Sequence, residues 1–139
     1  MSDSDIVLTG GCLCGKVRFQ ANGAPLFAGY CCCTDCRKAS GSGYMPYMGY
    51  RASALTVTGE TREIRSPSDK GTEAVRNFCP NCGSIVLGGQ RGKDKVLTVY
   101  AGTLDDAAQF KPTHAIFNRS RPHWVPLPPD IAVHEVMPG

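Results

Sequence analysis

The chain has 139 residues, a formal net charge of +3 at pH 7 and eight cysteines. Hydrophobic residues make up 42% and charged residues 19%, which excludes a disordered chain, and no apolar run approaches the roughly 20 residues that cross a bilayer. The length predicts a single domain over residues 1–139. The start of the sequence lacks the basic and apolar regions of a signal peptide, so we expect a cytoplasmic protein with no membrane partner.

Short runs of β-forming residues recur along the chain between Gly, Pro, Ser and Asn. Several alternate between apolar and polar residues, which is typical of half-buried strands. The predicted strands are Val17–Ala21, Tyr44–Tyr50, Leu55–Thr58, Glu63–Arg65, Ala74–Phe78, Ile85–Leu87, Val96–Ala101 and His114–Asn118. No segment of helical period is available to link parallel strands, so the pattern predicts a mostly β sandwich or small open barrel without a parallel sheet.

One short helix is predicted at Thr34–Ser40, where Thr34 is expected to cap the start and Gly41 to end the helix in the left-handed conformation. A second helical turn is predicted near Leu104–Gln109. Four prolines from Pro122 onward predict an extended tail on the surface.

Two separated cysteine pairs have the spacing of a structural zinc site. The segment Cys79-Pro-Asn-Cys82-Gly resembles a zinc knuckle, because proline favours a turn and glycine lets backbone amides point at sulfur. A closed tetrahedral site needs two more ligands, and Cys12 and Cys14, which are flanked by glycines, are the natural partners. This site would stabilise the fold by joining the N-terminal strand to the middle of the chain. The alternative is that Cys12 and Cys14 are small buried apolar residues.

The third cysteine group predicts a different kind of site. In an extended segment Cys31 and Cys33 face one side and Cys32 the other, while Cys36 comes from the first turn of the predicted helix. Three ligands, Cys31, Cys33 and Cys36, leave a fourth coordination position open, as in a catalytic zinc site. Two alternatives stay open: the group binds no metal, or a fourth ligand closes it, from among Cys32, His114 and His123.

Taken together, these motifs resemble the glutathione-dependent formaldehyde-activating enzyme family, also called the GFA or CENP-V domain family. The resemblance covers about residues 10–125, which we take as the core, and it is carried by Gly11–Gly15, Cys31–Gly41, Phe78–Gly83, Tyr100–Asp105 and Ser120–Trp124. It implies an Mss4-like, mostly β fold with two zinc ions. By motif, the structural ion is held by Cys12, Cys14, Cys79 and Cys82, and the catalytic ion by Cys31, Cys33 and Cys36.

The activity that the resemblance implies is a carbon–sulfur lyase that adds a small thiol such as glutathione reversibly to formaldehyde. One departure is that Cys32 stands where the family usually has histidine, so any proton transfer by that histidine is absent. Arg37 and Lys38, or alternatively the segment Arg119–Arg121, are candidate contacts for the carboxylates of the thiol, although an exposed helix face also explains the first pair. We expect Trp124 to be a core aromatic and the histidines to have ordinary roles.

A non-catalytic, zinc-stabilised module that binds protein or nucleic acid is the competing hypothesis. If seven cysteines bind two zinc ions as thiolates, the added charges cancel the formal +3. The chain also lacks a basic stripe with interleaved aromatic residues, so a nucleic acid partner is not expected. The open three-cysteine group favours the enzyme, because a scaffold has little use for an open metal position.

Overall fold

The computed structural model describes residues 5–67 and 71–138, and these contain eleven strands and one α-helix. No helix in these ranges is long and apolar enough to span a membrane. The helix α1 is Thr34–Ser40, and the strands β1 to β11 are, in order, Val7–Gly11, Arg18–Asn22, Phe27–Cys31, Met45–Arg51, Leu55–Thr58, Arg62–Pro67, Glu73–Phe78, Ile85–Gly88, Val96–Tyr100, His114–Ile116 and Ala132–Val133.

The strands form two sheets, which confirms the mostly β prediction. A three-stranded sheet has the order β1-β2-β5, and an eight-stranded sheet has the order β11-β10-β3-β4-β9-β8-β7-β6. Most neighbours are antiparallel, but β10 is parallel to both β3 and β11. The expectation of no parallel pairing was therefore wrong. The chain returns beside β3 as β10 only after it has formed strands β4 to β9, and an irregular segment links β10 to β11, so neither pair needs a helical crossover.

The core lies between the two sheets. In β2 the residues Phe19 and Ala21 are buried while their neighbours are exposed, as expected for a strand with one face in the core. Phe19 packs in the same cluster as Tyr50 and Val99 of the large sheet. Each large apolar side chain buried here contributes about 1.5–3 kcal/mol, so this cluster is the main support of the fold.

All eight predicted strands and the predicted helix are present, with ends shifted by a few residues. The sequence patterns did not predict β1, β3 and β11. β1 and β3 contain glycines, which weaken the sequence pattern of a strand. A Cβ atom on Gly10 would lie 2.6 Å from the ring of Phe19, and one on Gly29 would lie 2.7 Å from the carbonyl oxygen of His114. Glycine is required at these close approaches, although it has low strand propensity.

The structure confirms the predicted C-terminal end of helix α1 but not its predicted N-cap. Gly41 ends the helix in the left-handed conformation, with φ 68°, as predicted. The N-cap is Cys33 rather than Thr34, because the Cys33 sulfur accepts a hydrogen bond from the backbone N–H of Cys36. The second predicted turn is a 3-10 helix at Ala107–Gln109.

The C-terminal segment differs from its prediction as an extended surface tail. Val125 is buried, and β11 extends the large sheet by pairing with β10. Trp124 was expected in the core but is 63% exposed, with its ring lying over Gly43. The neighbouring valine takes the buried position instead.

Candidate metal centres and pocket

The structure brings together the two cysteine pairs that are far apart in sequence. The sulfur atoms of Cys12, Cys14, Cys79 and Cys82 all lie within 4.8 Å of one another. The Cys14 sulfur is 3.6 Å from that of Cys12 and 3.7 Å from that of Cys79. Four thiols at these distances suit a tetrahedral zinc site. Their assignment as ligands stays a prediction.

Tight turns position these four sulfur atoms. The N–H of Gly83, with φ 79°, donates to the carbonyl of Cys79 at 2.8 Å and closes the turn that carries Cys82. The hydroxyl of Ser84 accepts a hydrogen bond from the Leu13 N–H at 3.0 Å and lies 3.3 Å from the Cys82 sulfur, so it joins both halves. Hydrogen bonds from Ser84 lower the pKa of Cys82 to about 5, which favours the thiolate that a metal needs.

The second cysteine group lies where β3 meets α1. Cys31 is the last residue of β3, Cys33 caps the helix and Cys36 lies in its first turn. Their three sulfur atoms also lie within 4.8 Å of one another, and no other cysteine, histidine or carboxylate of the described ranges joins them. His114 and His123, which were alternative fourth ligands, are thus outside the group.

Cys32 faces away from this group. Its side chain is fully buried, and burial raises the pKa of its thiol. Its backbone N–H donates to the carbonyl of Ile116 at 3.0 Å, which holds the segment against β10. The alternation expected for an extended segment therefore holds for Cys31–Cys33.

A buried arginine contacts the three-cysteine group. Arg76 on β7 is 6% exposed, and its Nη2 lies 3.6 Å from the Cys36 sulfur. Hydrogen bonds from Cys31 and Cys33, followed by this guanidinium, lower the pKa of Cys36. The pKa of Cys31 is raised instead, by its hydrogen bonds with Cys33 and Cys36 and by burial. Arg76 was not predicted as a site residue. The signal available was an arginine within a predicted half-buried strand.

The three-cysteine group opens into a large pocket. Its volume is about 800 Å³, within the range of small-molecule sites, and Cys31 and Cys36 are part of its wall. The four-cysteine group does not line it. Its walls come mainly from β3, β4, β7, β9 and β10, and include Phe27, Met45, Tyr47, Val75, Arg76, Val96, Thr98, Tyr100, His114 and Ile116.

A tyrosine–histidine pair stands on the pocket wall near the cysteines. The Tyr47 hydroxyl is 2.5 Å from His114 Nε2, and His114 Nδ1 is 3.2 Å from the Thr113 hydroxyl. Burial lowers the pKa of His114 and raises that of Tyr47, so both are neutral at pH 7. His114 was predicted from the sequence only as an alternative metal ligand.

The basic residues expected near the substrate do not line this pocket. Arg37, Lys38 and the segment Arg119–Arg121 are all absent from its walls. Arg121 instead donates to the side-chain oxygen of Asn118 at 2.6 Å and so stabilises its own loop. The sequence-based choice of carboxylate contacts therefore finds no support in the geometry.

Comparison with known proteins identifies relatives of this chain. Residues 7–120 match the sequence model of the glutathione-dependent formaldehyde-activating enzymes. A Halomonas elongata protein, named provisionally as such an enzyme, is 28% identical over 128 residues, covering 88% of this chain and 82% of its own. A crystal structure of a Rhodobacter sphaeroides protein superposes with a TM-score of 0.52 at 24% identity, over 70% of this chain and 88% of that one. This last similarity concerns the fold alone.

Proposed function

Because the chain belongs to the glutathione-dependent formaldehyde-activating enzyme family, we propose that it is a zinc-dependent carbon–sulfur lyase. Its reaction would be the reversible addition of a small thiol, glutathione or another, to formaldehyde or a related electrophile. The observation that carries the proposal is the three-cysteine group, two of whose members, Cys31 and Cys36, line a pocket of about 800 Å³. The four-cysteine group lies outside this pocket and suits a structural ion.

The donor set fits zinc at both places. Sulfur ligands select zinc among the common divalent ions, and a set of three cysteines leaves one position open. When bound there, zinc supplies a position that favours the thiolate form of a substrate thiol. Three thiolates and Zn²⁺ carry one net negative charge, and the Arg76 guanidinium beside Cys36 offsets it. The arginine thereby lowers the free-energy cost of burying a negatively charged metal centre.

The reaction needs a proton to move, and the pocket wall has a pair that can move it. The bond between sulfur and carbon forms while the carbonyl π bond breaks, and the thiol proton ends on the new hydroxyl oxygen. The Thr113 hydroxyl lies 3.4 Å from the Ala28 carbonyl, so Thr113 accepts from His114 Nδ1–H and leaves Nε2 to accept from Tyr47. Neutral His114 can therefore take the thiol proton through Tyr47 and return it to oxygen.

The experiment compares zinc content and catalysed exchange in matched variants. Thiols add to formaldehyde unaided, so the rate is measured by NMR exchange between free and thiol-bound ¹³C-formaldehyde, against a blank without enzyme. We expect two zinc ions by native mass spectrometry and a rate well above the blank. Cys33→Ser should lose one ion and the rate, whereas Cys32→Ala, one residue away but outside the group, should keep both. Two zinc ions with no rate and no thiol binding would favour the non-catalytic module.

A further inference from the structure

The pocket beside the three cysteines has few charges. Of the described residues that line it, Arg76 has the one fixed positive charge, and Glu73 and Asp94 are acidic. Much of the remaining wall is aliphatic or aromatic, and three of its apolar side chains are exposed at 38–43%: Phe27, Val96 and Met137. Exposed apolar side chains gathered on a concave surface favour an apolar ligand.

The single arginine is not available to a substrate carboxylate. Arg76 is almost fully buried, and its two terminal nitrogens lie 3.6 Å from the Cys36 sulfur and 3.4 Å from the Ser66 hydroxyl. Its charge already offsets that of the cysteine group. A carboxylate that took over this arginine would leave the negative cysteine centre uncompensated in a buried environment.

Among the described residues near the pocket, the basic side chains of Arg65 and His114 already have partners. Glu73 is paired with Arg65 at 2.9 Å, and the same arginine also binds Glu63. His114 has partners at both ring nitrogens, and burial lowers its pKa. His134 also lines the pocket.

We propose that this pocket selects an apolar thiol without carboxylates over glutathione. Glutathione carries two carboxylates, and the described lining offers neither of them an uncommitted cation. The proposal rests on the proposed function, since it names the thiol class for the same site. Pocket volume does not decide the choice, because about 800 Å³ accommodates either class. Charge decides it, because a carboxylate that loses water without gaining a partner weakens binding.

The test uses glutathione and its diethyl ester, which share the thiol and the peptide but differ in the two carboxylates. Calorimetric titration of the zinc-loaded protein with each compound measures affinity independently of turnover. We expect the diethyl ester to bind at least about tenfold more tightly, a difference typical of leaving one charged group unpaired. A second pair, phenylmethanethiol and 4-(mercaptomethyl)benzoate, differs by a single carboxylate on an apolar frame and should show the same order.

A charge placed in the wall should change the preference. Val96→Lys puts an ammonium group at the pocket mouth and should narrow or reverse the difference between the two glutathione forms. Val7→Lys makes the same change on exposed β1, outside the pocket, and should leave the difference unchanged. Glutathione binding as tightly as its ester to the unmodified protein would overturn this inference and leave the lyase proposal intact. Failure of every thiol to bind or react would overturn both.

Discussion

Replacing one cysteine in each group should separate a stabilising metal site from a catalytic one. The four-cysteine group joins residues 65 positions apart, Cys14 and Cys79. A cross-link that closes a loop of this length stabilises a fold by about 4 kcal/mol through chain entropy. The loop from Cys31 to Cys36 is only about five residues long, and the same relation gives about 2 kcal/mol.

Cys79→Ser should therefore remove about 4 kcal/mol or more from a free energy of unfolding that is commonly about 5–15 kcal/mol. Cys33→Ser should cost no more than about 2 kcal/mol, because a serine oxygen can still accept the Cys36 N–H and keep the helix cap. Urea unfolding followed by circular dichroism measures both values, and native mass spectrometry counts the zinc ions. The reasoning is refuted if Cys33→Ser destabilises the protein as much as Cys79→Ser, or if Cys79→Ser still holds two ions.

Three further predictions concern the pocket and the ion pair between Arg18 and Asp105. Arg76→Met should raise the pKa of Cys36, so that alkylation of the metal-free protein by iodoacetamide shifts to higher pH. Tyr47→Phe should lower the rate of the proposed reaction by about 10- to 100-fold, at the lower end of proton-transfer effects, with little change in thiol affinity. Asp105, whose pKa is lowered to about 2 by its ion pair with Arg18, stabilises the fold above its unfolded pKa of 3.8, and this stabilisation is lost as pH falls towards 2. Asp105→Asn should thus lower Tm at pH 7, with a difference that shrinks below about pH 4.

Each of these has a result that would contradict it. An unchanged alkylation profile in Arg76→Met, with Arg76→Lys as the charge-preserving control, would show that the guanidinium does not hold the thiolate. A full rate in Tyr47→Phe would remove the hydroxyl from the proton path. A Tm difference for Asp105→Asn that keeps its full size below about pH 2 would mean that hydrogen bonding to Thr9, rather than the charge, makes the contribution.

Local patterns predicted the strands that have ordinary strand composition. The β2 segment alternates, and Leu55–Thr58 was predicted with its observed bounds. The strands that were missed have their identity decided by neighbours: glycine at Gly10 and Gly29 is imposed by Phe19 and by β10. A two-residue strand such as β11 exists only because β10 is there to pair with it.

The sequence by itself determined which cysteines could act together and which would not. Spacing and alternation separated Cys32 from its neighbours, and a helix start beside Cys33 placed Cys36 near them. These are local properties of a few consecutive residues. Tertiary structure alone decided that Arg76 from β7 contacts the cysteines, that Tyr47 meets His114, and that the basic residues near the helix lie outside the pocket. Such contacts depend on how distant strands are ordered in the large sheet, and side-chain chemistry at one position does not encode that order.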